Sequence, residues 1–293
     1  LYVNYLNSDT FTNLGRRAHL ILSTQSLYEG VRFNNSNIKR GKTINPPLFI
    51  IGLPRSGTTY LHNLLIHHYN RDGLRFWELT EPVPYVKNKG LDRLIRKTRS
   101  SIVFFLYRIL IPKLQLMHPV RLDSYEECWH FQKMMFLCYN YVIQLKFHQF
   151  EEHLLNMDTS IVYREYKRLL QDNTRSDETH ALKCPDHMMS LSTIKDVFPE
   201  SKIIWIHRDP FESAVSYCSM INGVWSLFFG KTDKKELGNF VVDLYDRMLR
   251  SAIDYRDTIN SDIVDISYNN LIDNREGIIN ELSTKIGKTD ASS

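Results

Sequence analysis

The chain has 293 residues, 43% of them apolar and 24% charged, and its 37 Lys and Arg against 33 Asp and Glu leave a net charge of +4. That length and composition exclude a disordered chain and suffice for a large buried core. A basic excess so mild, without a long basic run, excludes a general nucleic-acid surface and suits a small anionic ligand.

The chain opens at Leu1 rather than Met, with no basic-then-apolar leader, and so reads as trimmed at its start. The first strong signal is residues 47–65, PLFIIGLPRSGTTYLHNLL. Its apolar run 48–52 predicts a strand covered on both faces, Gly52 and Gly57 a turn, and the rest a helix. This is the layout of a phosphate-binding loop. A strand feeding straight into a helix leaves the first amide hydrogens without partners, and their aligned dipoles favour an anion. Gly57 lets the backbone come close, Pro54 stiffens the turn, and Thr58 and Thr59 add hydroxyl donors. Arg55, a planar fork of donors, suits a terminal oxyanion and replaces the charge of a missing lysine. That lysine normally follows the second glycine of a nucleotide-triphosphate loop; without it the apparatus for a magnesium-bound triphosphate is incomplete.

Residues 75–85, RFWELTEPVPY, set Glu78 beside Phe76 and Trp77. An unpaired carboxylate there gains proton affinity by desolvation and suits a general base; pairing with Arg75 is the plainer alternative. From about residue 88 to 175 no strong strand signal interrupts the helical patterning, which predicts a helical insertion covering the sheet and shaping a substrate pocket. Its longest apolar run, residues 102–111, carries Arg108 and is about half the length a bilayer requires, so it reads as a buried or interfacial helix. Glu126, Glu127 and His130 lie within one helical turn but lack a further ligand, and no metal is expected. Ile161, Val162, Tyr166, Leu169 and Leu170 form a weak helical stripe.

A weaker strand at 180–184, HALKC, leads into the segment carrying Lys183 and His187. Residues 202–220, KIIWIHRDPFESAVSYCSM, then repeat the strand-to-helix plan without glycines. Asp209 caps the helix, Pro210 suits its first position and Glu212 completes a capping box. Arg208 at the strand end and Ser216 two turns into the helix form a candidate second phosphate site; an ordinary ion pair of Arg208 with Asp209 or Glu212 is the alternative. Leu237, Phe240, Val241, Leu244 and Met248 place one apolar stripe on a long helix, and 263–267 is the last strand. Cys128, Cys138, Cys184 and Cys218 form no metal-ligand spacing and read as free thiols. The pattern as a whole predicts one α/β domain over residues 1–293, a parallel sheet flanked by helices with the 88–175 insertion as a lid.

LPRSGTT followed far downstream by HRDPFESAVS resembles the sulfotransferases that use 3′-phosphoadenosine 5′-phosphosulfate, especially the broad bacterial and tyrosylprotein-type group. The resemblance implies a P-loop-like sheet and metal-independent in-line transfer of a sulfuryl group to a hydroxyl or amine of a small molecule, glycan or peptide. It implies that Arg55, Ser56, Gly57, Thr58 and Thr59 hold the 5′-phosphosulfate, while Arg208 and Ser216, eight positions apart, hold the 3′-phosphate. Glu78 stands where tyrosylprotein-type relatives place a catalytic carboxylate, and His187 where cytosolic members carry a histidine; both are candidates for the base. Lys183 would carry charge toward the leaving phosphate, and Arg55 lies near the position of a lysine in the cytosolic members. Tyr268 opens a run similar to the family's Tyr-acidic-acidic-Leu, with Asn269 and Asn270 at the acidic places, and is assigned to the nucleotide site. Lys285 and Lys288 are candidates for the late basic loop that closes that site. An ATP-dependent P-loop kinase is the rival reading. The expected partners are the nucleotide donor and an acceptor, with no nucleic acid and no membrane span; these motifs specify neither acceptor nor oligomeric state. The cytoplasm is the favoured compartment, with the Golgi lumen as the alternative if an N-terminal anchor was removed.

Overall fold

The computed structural model describes residues 5–6, 10–38, 43–69, 71–110, 120–173, 179–258 and 263–286. They fall into two compact units. The sheet unit comprises Lys39–Gly73, Thr159–Tyr217 and Phe240–Ser293; the helical unit comprises Leu1–Ile38, Leu74–Asp158 and Cys218–Asn239.

All four predicted strands form: β1 Leu48–Ile51, β2 Ala181–Lys183, β3 Lys202–His207 and β4 Ile263–Ser267. They pair in parallel in the order β2-β1-β3-β4, with Phe49 facing Leu182 on one side and Ile203 on the other. Every residue of β1 is buried, as are Ile203 to Ile206 of β3, which is why these strands are continuous apolar runs. β4 is an edge strand, and only Ile266 is fully buried there.

The order places function before any side chain is considered. From β1 the chain steps to β2 on one side and then returns to β3 on the other. The carboxyl ends of the adjacent strands β1 and β3 thus form the switch point, where open α/β sheets leave a crevice for ligands.

The sheet unit also holds α2 (Thr58–His68), α8 (Ser160–Asn173) and α9 (Leu191–Val197), with α12 (Tyr268–Asp273) and α13 (Arg275–Ile286) after β4. Two long helices, α10 (Pro210–Phe229) and α11 (Lys234–Thr258), have residues in both units. The stripe on α11 is buried at all five predicted positions. On α8 Val162, Tyr166, Leu169 and Leu170 are buried but Ile161 is 46% exposed: it sits 100° from Val162, beyond the edge of the apolar face.

The helical unit is built from α1 (Asn13–Asn34), α3 (Phe76–Thr80), α4 (Lys89–Leu110), α5 (Trp129–Gln132), α6 (Asn140–Leu145) and α7 (His148–Leu155). The segment predicted as one insertion therefore divides, since its last helix, α8, belongs to the sheet unit. Leu22, Phe76 and Val103 form a core cluster among α1, α3 and α4. Aromatic pairs extend the packing, including Phe33 edge-on to Phe131 at 5.0 Å. A second, ionic cluster ties the same helices. Glu29 and Glu81 are both buried; Arg32 lies 2.6 Å from Glu29 and 3.6 Å from Glu81, and Arg99 lies 3.5 and 3.1 Å from the same two. The Tyr85 hydroxyl sits 3.1 Å from Glu29 and 2.8 Å from Glu81.

All four cysteines are free thiols. Among the described residues no helix is long and apolar enough to cross a membrane, and no three His, Cys, Asp or Glu side chains are grouped to hold a metal.

Candidate functional site

β1 ends in a turn whose geometry explains its glycines. Gly52 has φ of 155°, and a Cβ there would lie 2.7 Å from Ser56 Oγ and 2.8 Å from the Ile206 carbonyl oxygen of β3. Gly57, at φ 93°, is the N-cap of α2, and a Cβ there would lie 2.7 Å from the Tyr268 ring. Between them Arg55 adopts the left-handed region at φ 68°, uncommon for a residue with a side chain and frequent where a loop is shaped around a ligand. The turn is closed by Ser56 N–H donating to the Leu53 carbonyl at 3.1 Å and pinned by the Tyr245 hydroxyl, which donates to the Pro54 carbonyl at 2.8 Å. Helix α2 starts without a side-chain cap, so its first amides have no partner within the helix. The Ser56 hydroxyl is buried and has no hydrogen-bond partner. A buried polar group in that state is expensive unless a ligand or water completes it.

The corner after β3 reaches the same place by other means. Asp209 caps α10, accepting from the amides of Phe211 at 2.7 Å and Glu212 at 3.2 Å. The predicted capping box is only half formed, because the Glu212 carboxylate accepts from Arg208 Nε at 3.4 Å and Nη2 at 3.2 Å. A guanidinium with several donors outcompetes a single backbone amide for that carboxylate. Arg208 also donates from Nη1 to the Arg55 carbonyl at 2.9 Å and lies 4.4 Å over the Tyr268 ring. Arg55 Nε in turn donates to Ser216 Oγ at 3.2 Å. Arg55, Gly57, Arg208, Ser216 and Tyr268, supplied by the ends of β1, β3 and β4 and by α10, are thus one connected cluster.

The charge missing from the loop arrives from β2. Lys183 is fully buried at the end of that strand and donates to Thr59 Oγ1 at 3.2 Å. Four residues on, His187 lies in the 3-10 turn Pro185–Met189, fully buried, with Nδ1 2.9 Å from the Tyr163 hydroxyl and its ring edge-on to Phe49 at 5.1 Å. Glu78 is in the helical unit and is not the unpaired carboxylate envisaged from sequence. It is the third residue of the short helix α3, where Oε2 accepts from the Arg75 amide at 2.8 Å and Oε1 lies 3.6 Å from the Arg75 guanidinium. Lys285 is ion-paired with Glu281 at 2.8 Å, and Lys288 lies outside the described residues. Glu126 bonds Ser124 Oγ at 2.9 Å, and His130 stacks on Trp129.

Sequence reasoning missed Tyr163 and Tyr245. Each fixes the site by one long-range hydrogen bond from a helix, and no local motif announces such a bond.

The sulfotransferase family model matches residues 46–290, which spans both strand-to-helix corners. The chain is 25% identical over 271 residues to the omega-hydroxy-beta-dihydromenaquinone-9 sulfotransferase Stf3 of Mycobacterium bovis and of Mycobacterium tuberculosis. That alignment covers 84% of this chain and 64% of those proteins, so the chain spans about two thirds of the length of the curated relatives it matches. Among solved structures, sulfotransferase STF9 from Mycobacterium avium superposes with a TM-score of 0.79 at 20% identity, over 97% of this chain and 75% of that one. Sulfotransferase STF1 from Mycobacterium tuberculosis gives 0.78 at 21% identity, over 97% and 80%. Both share the fold. The rival kinase reading is not favoured, for the loop lacks its lysine and the match to another family runs through the whole sheet. The chain belongs to the sulfotransferase family.

Proposed function

We infer that the chain transfers a sulfuryl group from 3′-phosphoadenosine 5′-phosphosulfate to an acceptor hydroxyl or amine without a metal. One observation carries this reading: the two corners meet, with Arg55 bonded to Ser216 and Arg208 bonded to the Arg55 carbonyl. A nucleotide bearing phosphate at both ends is the ligand that two adjoining anion cradles suit. The fit is supported by the unpartnered Ser56 hydroxyl and the uncapped start of α2, both donors that an oxyanion would complete.

When bound, the donor supplies an activated sulfuryl group on its 5′-phosphate. The residues Arg55 to Thr59 hold that end through backbone amides and hydroxyls, and Lys183, reached through Thr59, offsets charge on the departing phosphate. Arg208 and Ser216 hold the 3′-phosphate, with Tyr268 as the flat support beneath the guanidinium. The acceptor's proton needs a base. His187 shares the sheet unit with the loop and Lys183, its ring fixed by Tyr163, whereas Glu78 is engaged as a helix cap and paired with Arg75. On that difference we assign the proton to His187. The acceptor of the Stf3 relatives, named as a hydroxylated dihydromenaquinone, supports an alcohol on an apolar molecule.

Thermal-shift titration tests the donor. Stabilisation by adenosine 3′,5′-bisphosphate and none by ATP with magnesium is expected; the reverse would overturn the reading. His187→Gln should abolish donor consumption while leaving bisphosphate binding intact. Loss of turnover in Glu78→Gln instead, with binding retained, would move the base to Glu78. A donor-consumption screen over isoprenoid alcohols, sterols, phenols, sugars and tyrosine peptides identifies the acceptor.

A further inference from the structure

The helical unit holds a lysine that the sulfuryl-transfer chemistry does not use. Lys133 opens the 3-10 turn Lys133–Met135 between α5 and α6, and only 6% of it is exposed. Among the described residues its ammonium has no hydrogen-bond or ion-pair partner; it has the Trp129 ring 5.5 Å away, a weak substitute for an anion. A buried cation in that state is expensive until something supplies the opposite charge.

The backbone around this lysine is fixed. The Tyr141 hydroxyl donates to the Lys133 carbonyl at 3.1 Å, Phe136 ends the turn at φ 57°, and Gly30 of α1 leaves no room for a side chain against the Met134 carbonyl. Lys133 lines a cleft of about 300 Å³, counting the solvent at its mouth, together with His19 and Ser26 of α1, Trp129 of α5, and Asn140 and Gln144 of α6. No carboxylate lines it. The titratable groups that act on the ammonium are His19 and Cys138. Burial first and Lys133 second push His19 down to about 3, so the imidazole is neutral; burial lowers Lys133 only to about 8, which leaves it charged at neutral pH. Gln144 Nε2 donates to Asn140 Oδ1 at 3.4 Å, which leaves the Asn140 amide nitrogen as a second donor. One cation and one neutral donor suit a singly charged ligand with two acceptor oxygens. A phosphate dianion would leave a charge buried and unbalanced.

We propose that this cleft binds the carboxylate of a small organic acid, whose two oxygens take the Lys133 ammonium and the Asn140 amide. The site shares no residue with the nucleotide cradle, and the proposal does not depend on the sulfuryl-transfer reading. It gives the helical unit a ligand of its own.

The test is calorimetric titration of the full chain with acetate, with benzoate and with inorganic phosphate. Saturable one-to-one binding of at least one carboxylate is expected, about tenfold or more tighter than that of phosphate. Lys133→Met, which keeps the length of the side chain and removes its charge, should abolish it. Gln144→Glu sets a carboxylate in the cleft wall; it should abolish binding too, and raise the melting temperature by pairing with the ammonium. Far-ultraviolet circular dichroism matching the wild type shows that a variant is folded, and keeps this test separate from that of the nucleotide donor; should Lys133→Met fail to fold, Gln144→Glu decides. No binding of either carboxylate up to about 50 mM, phosphate binding as tightly, or carboxylate binding that survives in the folded variants would each overturn the proposal.

Discussion

The corners after β1 and β3 solve one problem in two ways. The first presents backbone: two glycines at positive φ, an uncapped helix and a buried serine hydroxyl. The second presents side chains, with its helix already capped by Asp209 and its guanidinium held by Glu212 and by a carbonyl of the first corner. A backbone site is fixed in shape and open to few substitutions. A side-chain site is adjustable, and its strength depends on charge and salt.

The largest effect should come from the backbone corner. Gly57→Ala puts a methyl 2.7 Å from the Tyr268 ring on a residue at φ 93°, and should lower bisphosphate affinity by about 100-fold while destabilising the fold by about 1–3 kcal/mol. Wild-type affinity in this variant, measured by calorimetry, would break the contrast. Next comes Lys183→Met, which removes the cation that reaches the loop through Thr59. It should cut turnover by about 100-fold with a smaller change in product affinity, read as a kcat-against-Kd split. Smaller still, Arg208→Ala should weaken bisphosphate binding by about tenfold and spare ligands lacking the 3′-phosphate, so that the two ligand classes become alike. The loss should shrink at high salt, which the Gly57 effect should not.

The strands and both corners were legible because their signals are local. A parallel strand buried on both faces must be a short apolar run, as Leu48–Ile51 and Ile203–Ile206 are. Gly57 and Asp209 announce a turn and a cap within a few residues of where they act. What sequence could not settle was choice among partners. Glu212 had an amide and a guanidinium within reach and took the guanidinium; Glu78, read as a base if unpaired, is a cap paired with Arg75. The division into two units was illegible for a related reason. Residues 1–38 and 218–239 join 74–158 through contacts distant in sequence, and helical periodicity tells which face is apolar but not what it meets. On α4 the apolar run forms the expected helix but divides between faces: Val103 joins the core cluster while Ile102, Phe105 and Ile109 are exposed, and Ile111 lies outside the described residues.

The Glu29–Glu81 pair has a consequence for the whole chain. Burial first, and the neighbouring Glu81 charge second, push the Glu29 carboxyl up to about 7 from an ordinary value near 4.5. The native protein therefore keeps a hydrogen ion near neutrality that the unfolded chain would release. Because the native value is the raised one, the associated stability is complete below about pH 4.5 and disappears as pH climbs through about 7. Melting temperature should decline between about pH 4.5 and 7, and Glu29→Gln, which cannot ionise, should flatten that slope. A rise of pH toward neutrality would then loosen the knot holding α1 to α4.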